Sequence, residues 1–288
     1  MRAATASSTR RAALALLAGA LAIGTAGAAI ALAAGTLQTQ RAHAGAISAV
    51  FSFRYDRHDV VSPYTGLHLT ITRDGQTLHD AAVHSALCDS FCMPAGTGSV
   101  AVADVEGDGE PDVLLNLYSG GAHCCYVVQV FRYDPTTHGY ATLDHIWGDP
   151  SYELEHLDPG PALEFVSADD RFAYEFAAYA FSGLPLEILR LHGGRFIDVT
   201  RSFPKLVGAD AAGWWKSYRA GVKGEFGLGF LAAWAADEYN LGHSATVSQT
   251  LTRLQRAGEL RSSPGFGPGG AGFVAHLDRF LKQEGYTE

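Results

Sequence analysis

The amino-acid sequence predicts an α+β fold in which a β-rich part is followed by C-terminal helices. From Ile47 to about Phe203, short alternating or apolar runs are separated by turn-forming residues, which is typical of strands. After Pro204, apolar residues recur at helical spacing. Strands that precede helices along the chain, instead of alternating with them, favour α+β over a βαβ architecture. With 288 residues, 47% of them hydrophobic, the chain can bury one sizeable core with a smaller attached unit.

Residues 1–44 are predicted to be a targeting segment. Met1–Arg11 is basic and free of acids, and the 23 residues of Ala12–Ala34 carry no charge. Two A-x-A cleavage patterns follow, Ala31-Leu32-Ala33 and Ala42-His43-Ala44, so the chain is expected to be secreted or displayed at the cell surface. An uncleaved membrane anchor is the alternative, although the weakly hydrophobic Ala/Gly composition favours cleavage. Arg10-Arg11 resembles the start of a twin-arginine signal.

The charge balance restricts the partners that the exported part can have. Lys and Arg total 21 against 30 Asp and Glu. Without residues 1–44, 17 basic residues face 30 acidic ones, a formal charge of −13. Such a surface repels nucleic acid and anionic membranes and suits cations. We expect an unknown protein or glycan ligand at the cell surface, no nucleic acid, and no membrane contact unless the N-terminal segment is retained.

The mature chain is predicted to divide into a β-rich domain, residues 45–205, and a helical region, residues 206–288, packed on it. The predicted strands are Ala49–Arg54, Leu67–Thr72, Val100–Val102, Val113–Tyr118, Tyr126–Tyr133, Phe172–Tyr179 and Leu186–Leu191. The predicted helices are Phe226–Leu241, Ser244–Ala257 and Phe273–Glu284.

The four cysteines fall into two groups, Cys88 with Cys92 and Cys124 with Cys125. In an oxidising compartment an even number indicates two disulfides. Because a bridge between sequence neighbours is strained, we expect two crosslinks between the groups, with the partners left open. The competing interpretation is a zinc site of Cys88, Cys92, His123 and one of the adjacent pair, but the ligand spacing of a zinc finger is absent.

The stretch from Asp104 to Leu115 carries the most specific chemistry. Carboxylates stand at loop positions 1, 3, 5 and 9, glycines at positions 4 and 6, and position 7 offers a backbone carbonyl; these residues are Asp104, Glu106, Asp108, Asp112, Gly107, Gly109 and Glu110. Oxygen donors on alternate residues can converge on one Ca²⁺ if the backbone coils tightly, which glycine permits. The four carboxylates at loop positions 1, 3, 5 and 9 repel each other without a cation, which favours calcium over an ion-free turn.

This loop differs from an EF-hand. Position 12 is Leu115, where an EF-hand has a bidentate Glu, and the flanking residues are predicted strands. The sequence therefore predicts a calcium site of β-loop-β type, with a Kd of about 10⁻⁴–10⁻³ M.

The same stretch resembles the calcium loop of FG-GAP/VCBS-type repeats, which occur in integrin-like β-propellers and secreted bacterial proteins. The match lies at Asp104, Asp108, Gly109, Asp112 and Val113, while Glu106 replaces the usual Asp or Asn. Two further stretches, Leu117–Cys125 and Asp169–Tyr174, resemble uncharacterised secreted bacterial proteins. The resemblance implies calcium binding and blade-like repeats, and it implies no known activity.

A faint second copy of the loop appears 52 residues later, with Asp158 and Glu164 as its two carboxylates, and we expect it to bind no ion. The β-textured part has room for roughly three blades of ~40–50 residues. Closed propellers have at least four, so a complete propeller is not expected.

No catalytic constellation is visible, and no catalytic residue is assigned. The sequence favours an exported calcium-binding structural or ligand-binding protein over an enzyme. The alternative is a secreted hydrolase that acts on cell-envelope polymers or glycans, with acidic residues near His123 or the pair Asp169 and Asp170.

Overall fold

The computed structural model describes residues 35–88, 92–221, 227–262 and 265–287, and in these ranges strands precede helices as the sequence predicts. The strands are β1 Thr36–Ala44, β2 Ile47–Tyr55, β3 Tyr64–Arg73, β4 Gln76–Ala82, β5 Met93–Pro94, β6 Val100–Ala103, β7 Asp112–Tyr118, β8 Tyr126–Asp134, β9 Gly139–Gly148, β10 Glu153–Glu155, β11 Glu164–Ala168, β12 Leu186–His192 and β13 Arg195–Asp198. The helices are α1 Pro204–Gly221, α2 Leu228–Asn240, α3 Ser244–Arg256 and α4 Gly270–Gln283. None of the described helices is long and apolar enough to cross a membrane. The α+β fold class is thus confirmed.

The described strands form three antiparallel sheets that follow each other along the chain. The first has the order β1-β2-β3-β4, and the third has the order β10-β11-β12-β13. The second runs β5-β7-β8-β9, with β6 also paired to β7. Several consecutive strands pair as hairpins; between β3 and β4, Asp74 and Gly75 both take positive φ, the conformation that a two-residue hairpin favours.

The second sheet is the middle layer of the β-rich part. On β7, Val113 and Leu115 pack into one buried cluster with Phe51 of the first sheet. Leu114 points to the opposite face and packs with Phe165 of the third sheet. Successive residues of a strand alternate between faces, so a strand buried on both sides has a continuous apolar sequence. This burial explains the unbroken apolar run that opens β7.

The four helices form a separate buried cluster. Helix α2 is apolar on nearly every side, as expected for a helix surrounded by neighbours. The cluster includes Trp234, and Trp215 packs against it. Phe172 and Phe176, from the connection between β11 and β12, extend the cluster towards the sheets.

One predicted strand is wrong. Phe172–Tyr179 is not a strand, and 3₁₀ turns occupy Asp170–Phe172 and Tyr179–Phe181. Phe172 and Phe176 both point into the helical cluster, so the burial repeats every four residues and not every two.

The boundary expected at residue 45 is also corrected. Strand β1 lies within the range 1–44 and pairs with β2 along its whole length, so the folded β-rich part begins at Thr36. The side chain of Gln40 donates to the carbonyl of Gly96 (2.8 Å) and accepts from the N–H of Ser99 (2.7 Å), which ties β1 to the second sheet. The rest of the predicted targeting segment, with Arg10-Arg11 and Ala31-Leu32-Ala33, lies outside the described residues.

Candidate functional site

The acidic turn joins β6 to β7 and wraps around the carboxylate of Asp104. That carboxylate accepts hydrogen bonds from the backbone N–H groups of Gly107 (2.7 Å), Asp108 (3.1 Å) and Gly109 (2.8 Å). Gly107 and Gly109 have φ values of 71° and 89°, which side-chain-bearing residues rarely adopt. The tight coil that the sequence predicts is therefore present.

The turn is also fixed from outside, by the segment that leads into β11. A Cβ atom on Gly107 would lie 2.4 Å from the backbone nitrogen of Ala162, so no larger residue fits there. The N–H of Leu163 donates to the carbonyl of Val105 at 3.1 Å. The acidic turn thus packs against the second, degenerate turn.

Two arginines neutralise two of the predicted site residues. Arg132 on β8 binds Glu106, which also accepts from the N–H of Gly193 at 2.6 Å. Arg73 on β3 makes a two-pronged contact with Glu110. The repulsion inferred from four crowded carboxylates is therefore smaller than the sequence indicates, because Arg132 compensates Glu106. The side chain of Glu110 is likewise engaged, and its backbone carbonyl remains the expected donor.

Asp112 is the most unusual of the predicted site residues. It opens β7, is 3% exposed, and its Oδ2 has no hydrogen-bond partner. Burial, followed by the charges of Glu106 and Asp108, raises the pKa of Asp112 to about 7, although Arg132 and a hydrogen bond from the backbone of Val105 oppose the shift. Burying a carboxylate oxygen without a hydrogen-bond partner costs free energy. A proton or a cation bound to Oδ2 of Asp112 would lower that cost.

The donor chemistry of the turn fits calcium, but the donors are not assembled around one point. Asp104, Asp108 and Asp112 supply hard oxygens, and no arginine or lysine pairs with them among the described residues. The described ranges contain no group of three or more His, Cys, Asp or Glu side chains that could hold a metal ion as they stand. Calcium binding would therefore require the aspartate side chains to turn towards each other while the backbone coil stays in place.

In the second turn, the acidic side chains are neutralised by an arginine of the protein itself. Arg190 binds both of its carboxylates, Asp158 at 2.5 Å and the fully buried Glu164. Glu164 and Arg190 face each other across β11 and β12. With both acids paired to one guanidinium, this turn has no free carboxylate to offer an ion.

Both disulfides form within the cysteine groups, and the prediction of crosslinks between the groups is wrong. Cys88 is bonded to Cys92, whose Cα lies 5.1 Å away, a separation that a disulfide spans. Cys124 is bonded to its neighbour Cys125 across a cis peptide bond. Each disulfide thus joins cysteines that are close in the sequence. The bonds leave no thiolate for the zinc alternative.

A second candidate site lies at the opposite end of β7, where three connections meet. His123, from the β7–β8 loop, stacks on Tyr179 with ring centroids 4.0 Å apart and lies 6.2 Å from the ring of Tyr174. The carboxylate of Asp149, just after β9, accepts from the hydroxyl of Tyr179 and lies 3.7 Å from Nδ1 of His123. These four residues are called the aromatic–acid surface below.

A second carboxylate, that of Asp170, lies next to this surface, against the backbone of Gly148 and Asp149. A Cβ atom on Gly148 would lie 2.1 Å from Oδ2 of Asp170, so only glycine allows this carboxylate so close to Asp149. Burial, followed by the charge of Asp149, raises the pKa of Asp170. Burial and then Asp149 also raise the pKa values of Tyr118 and Tyr179.

The sequence singled out only part of this second site. It pointed to His123 and to the pair Asp169 and Asp170, but the pair is split. Asp169 is buried, binds Arg171 and accepts from the hydroxyl of Tyr286, whereas Asp170 lies against Gly148. Asp149 and Tyr179 are distant in the sequence and show no local pattern that would have marked them.

Together, the fold and the two sites define a disulfide-containing α+β protein with three antiparallel sheets. No family model matches the chain, and no solved structure matches it. The chain is 34% identical over 140 residues to an uncharacterised protein of Sinorhizobium fredii, covering 47% of this chain and 22% of that protein. It is 28% identical over 218 residues to a probable thylakoid lumen protein of Synechocystis sp., covering 74% of this chain and 62% of that protein. The chain thus spans less than two thirds of the length of either relative.

Proposed function

We propose that this chain is an exported calcium-binding protein with a structural or ligand-binding role, and that the acidic turn is its calcium site. Export is supported by the N-terminal segment, by the two disulfides, which suit an oxidising compartment, and by the name of the thylakoid lumen relative. The FG-GAP/VCBS-type resemblance of the turn supports the choice of calcium.

The observation that carries the calcium proposal is the unpartnered Oδ2 of Asp112. It lies in a turn whose backbone is already coiled by Asp104 and whose third aspartate, Asp108, is exposed. A Ca²⁺ ion accepts six to eight oxygens from carboxylates, backbone carbonyls and water, so these three aspartates with the carbonyl of Glu110 form a sufficient protein donor set. Glu106 would join only by leaving Arg132.

Calcium would act as a clamp between β6 and β7. A ligand that binds only the folded state adds about 1.4 to 2.7 kcal/mol of stability at ten to a hundred times its Kd. For a chain of this size, that free energy corresponds to a rise in Tm of roughly 3–10 °C. Because the aspartates must rearrange before they bind, we expect a Kd in the weak extracellular range of about 10⁻⁴–10⁻³ M.

The test is thermal unfolding in EDTA and in about 10 mM calcium, a concentration above the expected Kd. Asp108→Asn removes one ligand charge from an exposed position and should abolish the calcium-dependent rise in Tm. Asp158→Asn is the matched control, because it changes an acid of the second turn that Arg190 already pairs, and it should keep the rise. A wild-type Tm that is the same in EDTA and calcium would overturn the proposal, as would an unchanged calcium response in Asp108→Asn.

A further inference from the structure

We propose that the aromatic–acid surface binds the organic cation of a ligand, an ammonium or quaternary-ammonium group. The inference deepens the ligand-binding role in the proposed function by naming the ligand class. It does not need the calcium turn, because β7 separates the two sites. That strand, Asp112–Tyr118, has seven residues and spans about 20 Å at roughly 3.3 Å per residue.

Two of the rings, those of Tyr174 and His123, are partly exposed to the solvent. Tyr174 is 51% exposed and lies 5.5 Å from the ring of Tyr179. His123, stacked on Tyr179, has a side chain that is 44% exposed. An aromatic face attracts a cation within about 6 Å of the ring centroid, and ligands with quaternary ammonium groups are recognised in this way.

The same place holds negative charge that the protein leaves uncompensated. Among the described residues, neither Asp149 nor Asp170 forms an ion pair with an arginine or a lysine. This contrasts with the acidic turns, where Arg73, Arg132 and Arg190 fulfil that role. Apart from His123, whose Nδ1 lies 3.7 Å from Asp149, no described side chain forms an ion pair with either carboxylate. The surface therefore complements a cation.

The loops that carry these side chains are held in place before any ligand arrives. Within the β7–β8 loop, the hydroxyl of Tyr118 donates to the carbonyl of Gly121, and the N–H of Cys125 donates to the hydroxyl of Ser119 at 2.7 Å. On the facing segment, the N–H of Tyr174 donates to the hydroxyl of Ser182 at 3.0 Å. Binding to a preorganised surface costs less conformational entropy.

Other ligand classes fit this surface less well. Two carboxylates repel an anion. A neutral sugar could donate hydroxyl groups to Asp149, but it would not use the uncompensated charge. Sugar binding is therefore an outcome that the experiment must separate from cation binding.

The experiment compares choline with its neutral isostere 3,3-dimethyl-1-butanol and with a chitin oligosaccharide, using NMR titration of the full-length mature protein. Choline should shift the ring signals of His123 and bind at least about ten-fold more tightly than the isostere, since cation–π and carboxylate attraction are lost with the charge. Asp149→Asn should weaken choline binding about five-fold or more and leave the isostere unchanged. Asp134→Asn, at a hairpin turn where the carboxylate accepts only from Thr136 and Thr137, is the control.

Equal affinity for choline and the isostere, no binding of either, or choline binding that Asp149→Asn leaves intact would each overturn the inference. Preferential binding or cleavage of the oligosaccharide would do so as well, and cleavage would favour the hydrolase alternative. The titration is run in EDTA and in calcium. If choline binds but calcium has no effect on Tm, only the calcium proposal is contradicted. If calcium raises Tm but choline does not bind, only the present inference is contradicted.

Discussion

Arg132 on β8 binds Glu106 in the acidic turn, so the protein itself supplies part of the positive charge that the sequence assigns to calcium. The Glu106 side chain is only 7% exposed, and it also accepts from the N–H of Gly193. Asp104, Asp108 and Asp112 have no such arginine partner within the described residues, and these are the three side chains that we propose as calcium ligands.

Replacing Arg132 by Gln should destabilise the protein in EDTA and enlarge its response to calcium. The change leaves the nearly buried carboxylate of Glu106 without its ion-pair partner, which typically costs about 3–5 kcal/mol of stability. Glu106 then becomes free to act as a ligand, so calcium should recover part of that loss. Urea unfolding of wild type and variant, with and without calcium, measures both effects. A variant whose calcium response is smaller than that of wild type would show that Arg132 does not compete with the ion.

The matching change in the second turn should lower the free energy of unfolding by an amount that does not depend on calcium. Arg190→Gln leaves the fully buried Glu164 unpaired, again at a cost of about 3–5 kcal/mol. Because we expect this turn to bind no ion, calcium should not recover the loss. The same urea series measures the difference, and recovery by calcium equal to that of Arg132→Gln would refute the distinction between the two turns.

Because of the titration of Asp237, the free energy of unfolding should fall as the pH rises. Asp237 is completely buried in α2, and burial together with the neighbouring Asp210 of α1 raises its pKa to about 10. Glu238 adds a smaller effect in the same direction. The folded state therefore holds a proton that the unfolded chain releases near pH 3.9, so the contribution of Asp237 is lost progressively from about pH 4 to pH 10.

The variant Asp237→Asn removes this titration and should flatten the stability profile. It should also be more stable than wild type at pH 9, by an amount of the order of a few kcal/mol. Urea unfolding at pH 5, 7 and 9 tests this. The difference between variant and wild type isolates Asp237 from Glu187, whose pKa burial raises to about 7. A difference that is constant across the three pH values would contradict the assignment.

The mature protein should retain β1. Cleavage after Ala44 would remove the strand that pairs with β2 and the bonds from Gln40 to Gly96 and Ser99. Intact-mass measurement of the secreted protein should therefore place its N-terminus before Thr36. A chain engineered to start at Gly45 should have a lower Tm than one that starts at Ala34. A secreted form that begins at Gly45 with an undiminished Tm would overturn this expectation.

Local patterns predicted part of the elements that bury an apolar face, but not helix α1, whose buried residues include Val207 and Tyr218. Helices α2, α3 and α4 and the strands on both sides of the acidic turn follow from spacing alone, because each has a face that packs into a cluster. Strand β1 escaped prediction because it is mostly exposed and its sequence shows no apolar alternation. Edge strands of this kind are specified by their partner more than by their own side chains.

Partners across long sequence separations could not be predicted. Arg73 is 37 residues from Glu110, and Arg132 is 26 residues from Glu106, so only the folded sheets bring these charges together. The aromatic–acid surface depends on three separate connections for the same reason. The cysteine pairing was predicted wrongly because the spacing of four cysteines does not determine which of them are bonded to each other.

The most direct test of the calcium site is a titration followed through the backbone amide signals of the acidic turn by ¹H–¹⁵N NMR. If the turn binds calcium, the amides of Gly107 and Gly109 shift saturably with a Kd of about 10⁻⁴–10⁻³ M. Asp108→Asn should abolish these shifts, and the amides of the second turn should not move. Amides of Gly107 and Gly109 that stay unchanged up to about 10 mM calcium would contradict calcium binding at this turn.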